Sequence, residues 1–248
     1  MAVKIKYVLF YPKCFVLRTV FILCCVWVSG SAFAQSDSVR SYATQMIVGE
    51  PPQIDGSMDD VAWQQVAWSQ EKFTQFDPAA GEAASVHTQF KVLYDEKNIY
   101  FLILNHDPEP DKIVKRMSRR DGFDGDFVEV NIDSYYDKRT AFSFTASVSG
   151  VKGDEYVSDN GNSWDASWDP IWYLETSIMQ DGWIAEFRIP LSQLRFADKP
   201  EHTWGLEVTR RFFRKQERSV WQYIPPDAGG WVHLFGHLTG ISGIRPQK

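Results

Sequence analysis

The strongest constraint on the fold is an alternation of apolar and polar residues that recurs from Val86 onward. Residues 128–133 alternate strictly between apolar and polar side chains, and residues 142–148 do the same. Successive side chains of a β-strand point to opposite faces of the sheet, so this period of two predicts strands rather than helices. Residues 99–104 are apolar throughout, which predicts a central strand that is buried on both faces.

Turn-forming residues separate about nine such segments. The predicted strands are 86–94, 99–104, 128–132, 142–148, 171–178, 183–189, 204–208, 220–224 and 232–238. Asp181-Gly182 stands between two of them and is typical of a hairpin turn. Helical structure is predicted only at 59–66 and, after Pro190, at 191–194. The chain is therefore predicted to be all-β, an antiparallel β-sandwich of jelly-roll type with about nine strands and a short helical turn near its start.

The first 34 residues have the pattern of a secretory signal peptide. Positive charges precede an apolar run at 20–28, and Ala32-Phe33-Ala34 has the small residues of a cleavage site. A spanning helix needs about 20 apolar residues, so cleavage is predicted, with an uncleaved anchor as the alternative. This divides the chain into a signal peptide at 1–34, a linker at 35–46 and one domain at 47–248. It also predicts export to the periplasm or the outer membrane.

Composition excludes several functions. The cysteines Cys14, Cys24 and Cys25 all lie in the predicted signal peptide, so the exported chain would have no disulfide, no zinc–thiolate site and no reactive thiol. The formal charge is −6, and it becomes −10 without the signal peptide, because that segment carries four positive charges and no negative ones. Nucleic-acid binding needs a basic surface, so it is excluded for this acidic chain.

A short motif, IDGSMDDVAW at 54–63, opens the predicted domain. Ser57 and Asp60 have the spacing of a capping box, in which two side chains bond the free backbone N–H groups at a helix start. This spacing predicts the beginning of the helical turn. The turn would direct Trp63 towards the core.

Four further segments follow this motif in order. They are VLYDEKNIYFLI at 92–103, GDFVEVNIDSYYD at 125–137, GWIAEFRIPLSQLRF at 182–196 and TWGLEVTRRFFR at 203–214. Together the five segments resemble family 9 carbohydrate-binding modules, from about residue 47 to residue 244. The resemblance implies a β-sandwich that binds a glycan without catalysis, holds structural calcium and places a sugar end between tryptophan faces. Such modules assist the breakdown of carbohydrate by glycoside hydrolases.

More narrowly, the chain is similar to the amino-terminal module of large bacterial surface proteins. In those proteins the module precedes an uncharacterised β-barrel domain in the outer membrane. This resemblance implies a barrel of that kind as a partner.

The best candidates for contact with a sugar lie in the segment WDASWDPIW. Trp164, Trp168 and Trp172 recur every four residues, which predicts one shared face. Indole rings stack on the C–H faces of a sugar, and the carboxylates of Asp165 and Asp169 accept hydrogen bonds from its hydroxyls. The alternative is that Trp172, at least, belongs to the core.

Acidic residues are the candidates for a calcium site. Asp124 and Asp126 flank a glycine, and Asp133 and Asp137 follow at the end of a predicted strand. Calcium takes about six to eight oxygens from carboxylates and carbonyls in flexible loops, which suits these residues. An EF-hand is excluded, because the later bidentate glutamate is missing. The alternative is that these residues are solvated turns and a strand end.

Non-catalytic carbohydrate binding is thus the predicted function, with two alternatives. The first is a docking module for an outer-membrane barrel or another partner, with no sugar site. The second is a glycoside hydrolase, which needs two carboxyl groups about 5–10 Å apart. The candidate pairs for that reaction are Asp154 with Glu155 and Asp124 with Asp126.

Overall fold

The computed structural model describes residues 39–246, so the predicted signal peptide lies outside the described residues. Within this range the chain forms fourteen β-strands and short 3₁₀ turns. The strands are β1 (Ser41–Ala43), β2 (Gln45–Met46), β3 (Thr74–Asp77), β4 (Thr88–Tyr94), β5 (Asn98–His106), β6 (Phe127–Asp133), β7 (Ala141–Ser147), β8 (Lys152–Ser158), β9 (Ser163–Asp165), β10 (Tyr173–Met179), β11 (Gly182–Pro190), β12 (Glu201–Phe212), β13 (Glu217–Val220) and β14 (Gly236–Ser242). In the part of the chain so described, no helix is long and apolar enough to cross a membrane.

The strands form two sheets that face each other. The nine-stranded sheet has the order β1-β14-β12-β6-β7-β8-β9, with β13 pairing with both β12 and β3. The five-stranded sheet has the order β10-β11-β5-β4-β2. The pairs β1–β14 and β2–β4 are parallel, and the other pairs of strands are antiparallel. The predicted all-β sandwich is confirmed.

The main core lies between the sheets and contains the inward side chains of both. Strand β5 shows why a continuous apolar run was informative. Phe101 and Ile103 point into the main core, while Leu102 and Leu104 pack in a second cluster with Trp63. Both faces of β5 are therefore covered, and β5 is the central strand of its sheet, as predicted.

Glu186 anchors the segment that opens the domain. Its side chain is fully buried, and its carboxylate accepts hydrogen bonds from Trp63 Nε1 (3.0 Å), Asp55 N (3.1 Å) and Gly56 N (2.9 Å). Burial raises the pKa of Glu186 to about 7, although these hydrogen bonds act in the opposite direction. The two motifs that contain Trp63 and Glu186 thus meet in one buried contact.

The helical turn occurs where it was predicted, but the capping box does not form. The chain makes a 3₁₀ turn at Val61–Gln65, and Asp60 makes no side-chain capping bond there. Asp60 Oδ2 instead accepts Gln53 N (3.0 Å), and Ser57 Oγ donates to Asp59 Oδ1 (2.5 Å). These acidic side chains hold the loop before the turn rather than the first turn itself.

Several boundaries differ from the prediction. Part of the predicted linker at 35–46 belongs to the fold, because β1 and β2 pair with β14 and β4. The predicted strand at 220–224 is wrong, since β13 ends at Val220 and Ile224 packs as part of a loop. The segment 232–238 begins as a 3₁₀ turn, and its strand starts only at Gly236. Strands β1, β2, β3 and β9 have four residues or fewer, too few for alternation to reveal them.

Candidate functional site

The structure places Trp172 in the core. Its side chain is 3% exposed, its ring stacks on Phe187 with centroids 5.5 Å apart, and its Nε1 donates to Asp154 Oδ2 (3.0 Å). A sugar arriving from solvent has no access to a ring held in this way. The prediction that Trp172 contacts sugar is therefore wrong, and the core alternative holds.

The other two tryptophans also do not share one face. Trp164 lies on β9, donates from Nε1 to Gly161 O (2.8 Å) and packs against the cluster that contains Trp231. Trp168 packs on the main core, with its ring centroid 5.0 Å from that of Phe142. The chain turns between them, at residues 166–167, so the even spacing does not produce one aromatic surface.

The two predicted carboxylates are both exposed but make different contacts. Asp165 Oδ1 accepts hydrogen bonds from Ser167 N (2.9 Å) and Ser167 Oγ (2.6 Å), which closes the turn after β9. Asp169 forms an ion pair with Arg120 (2.7 Å). Of the two, Asp165 lines a cleft.

This cleft, which we call the edge cleft, has a volume of about 470 Å³. It is lined by Phe142, Tyr156, Asp165, Ser167, Trp168, Ser192, Gln193 and Arg195. Trp168 and Asp165, two of the predicted residues, are thus brought together here. Aromatic rings beside hydroxyl, amide and charged groups are a combination that suits a sugar.

A second candidate lies on the face of the nine-stranded sheet that points away from the core. We call it the outer-face patch, and its residues are Glu129, Asn131, Ser143, Thr145, Glu155, Thr209 and Arg218. The register aligns them across five strands, β13, β12, β6, β7 and β8. Ser143 stands opposite both Asn131 on β6 and Glu155 on β8, and Glu129 stands opposite both Thr145 on β7 and Thr209 on β12. Their immediate neighbours along β6, such as Val130, point the other way, into the core.

The outer-face patch has hydrogen-bonding groups that no protein group satisfies. Asn131 Nδ2 donates to Glu129 Oε1 (2.6 Å), and Arg218 Nη2 lies 3.8 Å from the same oxygen. Asn131 Oδ1, Ser143 Oγ, Thr209 Oγ1 and Arg218 Nε are buried and have no partner among the described residues. An unsatisfied buried polar group costs about 1–3 kcal/mol, so a ligand or water that reached these groups would gain hydrogen bonds with them.

Aromatic rings stand on two sides of the patch. On one side the guanidinium of Arg218 lies 5.2 Å from the ring centroid of Trp231 and 5.4 Å from that of Phe76. On the other side Phe123 covers Gly153, the residue opposite Thr145 on β8. A Cβ at position 153 would collide with the ring of Phe123, so this close approach requires glycine.

Glu155 differs from the other charged residues of the patch. In the part of the chain that the structure describes, its carboxylate has no hydrogen bond and no ion pair. Burial raises the pKa of Glu155, and repulsion from Glu129, Asp121 and Asp154 raises it further. Arg120 does not relieve this repulsion directly, because its guanidinium pairs with Asp154 (2.5 Å).

Sequence reasoning identified β6, β7 and β12, but it missed β8 and β13 and did not identify the patch. The signal was present in the polar residues at alternate positions of β6 and β7. Both strands are central in their sheet, where the positions facing away from the core are also covered. Buried polar rows on central strands are the feature that indicates a site. Trp231 lies in a loop, and no pattern in the sequence connects it to these strands.

The four predicted calcium ligands do not form one site. Asp126 precedes β6 and Asp133 ends it, so the two are separated by the length of that strand. Asp124 pairs with Arg116 (2.5 Å), and Asp126 Oδ2 accepts Val114 N (3.1 Å). No group of three acidic, histidine or cysteine side chains in the described range is arranged to hold a metal ion.

At the other end of β6, the carboxylates of Asp133 and Asp137 accept hydrogen bonds from backbone N–H groups. The carboxylate of Asp133 accepts Asp137 N (3.2 Å) and Lys138 N (2.8 Å), and Asp137 in turn accepts Arg139 N and Thr140 N (2.8 Å each). Burial raises the pKa of Asp133 to about 6. These residues close a turn.

The candidate catalytic pairs are also separated. Asp154 and Glu155 are neighbours on β8, so their side chains point to opposite faces of the sheet. Asp154 accepts hydrogen bonds from Trp172 and Arg120, while Glu155 lies on the outer face. Asp124 is exposed in its ion pair, and Asp126 is fully buried. Neither pair presents two carboxyl groups to one substrate.

Comparison with known proteins identifies the chain's relatives. The family model described as “Carbohydrate family 9 binding domain-like” matches residues 54–216. A search of curated proteins finds no match.

Two solved proteins have a similar fold. A family 9 carbohydrate-binding module from Caldicellulosiruptor kristjanssonii, solved with glucose and with cellotriose, is 18% identical to this chain, with a TM-score of 0.54. The match covers 83% of this chain, 97% of the glucose complex and 95% of the cellotriose complex. A candidate carbohydrate-binding protein from Bacteroides uniformis ATCC 8492 is 12% identical, with a TM-score of 0.61, over 82% of this chain and 100% of that one. At these identities the similarity shows a common fold.

Proposed function

This chain belongs to the carbohydrate family 9 binding domain-like family, and from this premise we propose that it binds carbohydrate without catalysing a reaction. The outer-face patch is the proposed site. The bound ligands of the Caldicellulosiruptor kristjanssonii module, glucose and cellotriose, support neutral sugars as the first compounds to test.

One observation carries the choice of site. Asn131 Oδ1, Ser143 Oγ and Thr209 Oγ1 are buried together without partners, beside the paired charges of Glu129 and Arg218. These three side chains are fully buried in the free protein, so the proposal requires the groups that cover them to move aside. A sugar hydroxyl both donates and accepts, and it can then satisfy several of these atoms. Rigid strands hold them, which lowers the entropy lost on binding.

The edge cleft is the second candidate site, because it has room for a sugar and holds Trp168 and Asp165. The two candidates make opposite predictions for single substitutions. Glu129→Gln is nearly isosteric and changes only the patch, whereas Trp168→Ala changes only the edge cleft.

Isothermal titration of the chain without residues 1–34 tests the proposal. Glucose and cello-, xylo- and manno-oligosaccharides are titrated into the unsubstituted chain and into both variants. We expect binding that Glu129→Gln weakens about tenfold and Trp168→Ala leaves unchanged, since charge-assisted hydrogen bonds are the strong ones. The reverse result would move the sugar to the edge cleft. A folded protein that binds none of these sugars would contradict carbohydrate binding.

That last outcome would favour the alternative function, docking on a partner such as an outer-membrane β-barrel domain. We propose such a barrel as a partner, and export to the periplasm or outer membrane, on the basis of the sequence pattern at 1–34 and the resemblance of the motifs. In that location the module would hold a glycan near the enzymes that degrade it. Calcium binding stays a prediction without an assigned site.

A further inference from the structure

The edge cleft contains an exposed guanidinium, and this group carries an inference that rests on the proposed carbohydrate binding and goes further. Arg195 lines the cleft, and within residues 39–246 its side chain has no ion pair and no hydrogen bond. Its neighbours Leu194 and Phe196 are buried in the main core, so the extended chain directs Arg195 outward. Its backbone oxygen accepts a hydrogen bond from Ser134 Oγ (2.8 Å), which fixes the chain at this point.

Beside this charge the cleft has an aromatic surface that the core holds in place. The ring centroid of Trp168 lies 5.0 Å from that of Phe142 and 5.5 Å from that of Phe144. The ring of Tyr156 lies 5.6 Å from that of Phe142. Trp168 and Tyr156 are only partly buried and both line the cleft, so part of each ring is accessible to a ligand. Unlike the buried atoms of the outer-face patch, these groups can be reached from solvent without a rearrangement.

The second charged group of the cleft, Asp165, determines how a ligand can lie. Its Oδ1 accepts hydrogen bonds from Ser167 Oγ and Ser167 N, and these bonds lower the pKa of Asp165, so its carboxylate is ionised at pH 7. An ionised carboxylate accepts hydrogen bonds from hydroxyls, whereas a guanidinium can donate two parallel ones to a carboxylate. A ligand that satisfies both charges therefore presents a carboxylate to Arg195 and hydroxyl groups to Asp165.

We propose that the edge cleft binds a sugar that carries a carboxylate, a uronic acid, with its ring against Trp168 and Tyr156. The cleft volume of about 470 Å³ lies within the range of ligand sites. Arg195 recognises the charge of this sugar and not the arrangement of its hydroxyls, so different uronic acids should bind alike. The negative net charge of the chain opposes such a ligand weakly, because salt screens exposed charges beyond about 8–10 Å.

The probes are glucuronic acid, its neutral methyl ester, galacturonic acid, glucose and acetate. They are titrated at pH 7 into the unsubstituted chain without residues 1–34 and into Arg195→Gln, Arg119→Gln and Trp168→Ala. Arg119 is an exposed arginine in the loop before β6 and does not line the cleft, so its variant controls for the loss of one positive charge. Circular dichroism checks that each variant is folded.

We expect both uronic acids to bind about tenfold more tightly than the methyl ester, because a charge-assisted pair with a guanidinium is stronger than a neutral hydrogen bond. Arg195→Gln should abolish this preference, and Arg119→Gln should keep it. Trp168→Ala should weaken both acids, since the ring loses its aromatic contact. Added salt should weaken the acids more than the ester.

Four outcomes would overturn the inference. Equal binding of the acid and its ester would remove the selection for a carboxylate, and glucose binding would still support the proposed function. A preference that survives in Arg195→Gln would place the carboxylate outside the edge cleft. Acetate that binds as tightly as glucuronic acid would make Arg195 a site for small anions, not for a sugar. If neither the acids nor glucose bind to the folded chain, the proposed function fails as well.

Discussion

The two candidate sites differ in how the fold supports them. The outer-face patch stands on five neighbouring strands, β13, β12, β6, β7 and β8, whose backbones are fixed by sheet hydrogen bonds. The edge cleft is formed where strands end, by the turn after β9 and by the 3₁₀ turn Leu191–Gln193. The patch offers fixed and partly unsatisfied polar groups, and the cleft offers space and aromatic surface.

This difference has a consequence for binding. Groups that are already fixed and desolvated lose little entropy when a ligand arrives, so they give specificity for a particular pattern of hydroxyls. An open cleft lined by exposed side chains accommodates several shapes but discriminates among them weakly. The comparison therefore predicts a selective patch and a permissive cleft.

Replacing one tryptophan in each region should give the largest contrast. Trp231 is 9% exposed and packs among Val157, Val220 and Phe235, whereas Trp168 is only partly buried. We expect Trp231→Ala to lower the free energy of unfolding by about 3–5 kcal/mol and Trp168→Ala by less than half of that. Urea denaturation followed by circular dichroism measures both. Equal losses would mean that the two regions are packed alike.

A buried group outside both sites should contribute strongly to the pH dependence of stability. Burial raises the pKa of Glu186 to about 7 in the folded chain, above the ordinary value for a glutamate. The folded state therefore binds this proton more tightly, so its contribution is complete below about pH 4.5 and is lost as the pH rises to 7. We expect a loss of about 3 kcal/mol across that range.

The variant Glu186→Gln tests whether this glutamate causes the pH dependence of stability. Glu186→Gln should flatten the dependence, and Glu96→Gln, an exposed glutamate in a turn, should leave it unchanged. Unfolding midpoints in urea at several pH values provide the measurement. An unaltered slope in Glu186→Gln would assign the dependence to another group, with Asp133 the first to examine.

Two serine substitutions, one in each region, distinguish the candidate sites by their effect on sugar affinity. Ser143→Ala removes an unsatisfied hydroxyl from the patch, and Ser192→Ala removes an exposed hydroxyl from the edge cleft. We expect Ser143→Ala to weaken sugar binding by about fivefold without loss of stability, because the hydroxyl has no partner in the free protein. Ser192→Ala should bind as the unsubstituted chain does. Titration calorimetry with the best ligand decides, and the opposite ranking would favour the cleft.

The smallest effect is expected at Asp169, which was predicted to contact sugar. Its carboxylate is exposed and pairs with Arg120, which also pairs with the buried Asp154. Asp169→Asn should change neither the unfolding midpoint nor the sugar affinity measurably, since exposed ion pairs contribute little. A clear loss of affinity would extend the sugar site beyond both regions.

Most of the fold could be predicted from the sequence, because alternation records burial directly. It predicted β4 to β7 and β10 to β12 with small errors at their ends, and the apolar run predicted the central position of β5. It failed where strands are short, as in β1 and β2, since two or three residues establish no period. It also missed β8, whose seven residues, KGDEYVS, do not alternate between apolar and polar.

Less of the candidate sites could be predicted. The spacing of Trp164, Trp168 and Trp172 is regular, but a turn and the core at β10 separate their rings. For the patch, the alternation at 128–133 indicates which side chains share a face and does not say whether that face is covered or open. Whether Arg218 and Trp231 lie over it depends on tertiary packing between distant segments, which no local pattern encodes.

Strands β1 and β2 join the two sheets through a single short stretch of chain. β1 lies parallel to β14 in one sheet, with Tyr42 opposite Leu238, and β2 lies parallel to β4 in the other. Because β1 and β14 run in the same direction, a pull between the start of β1 and the end of β14 would act along both strands and load their hydrogen bonds together. Residues 41–43 would therefore resist such a pull as a mechanical clamp on β14.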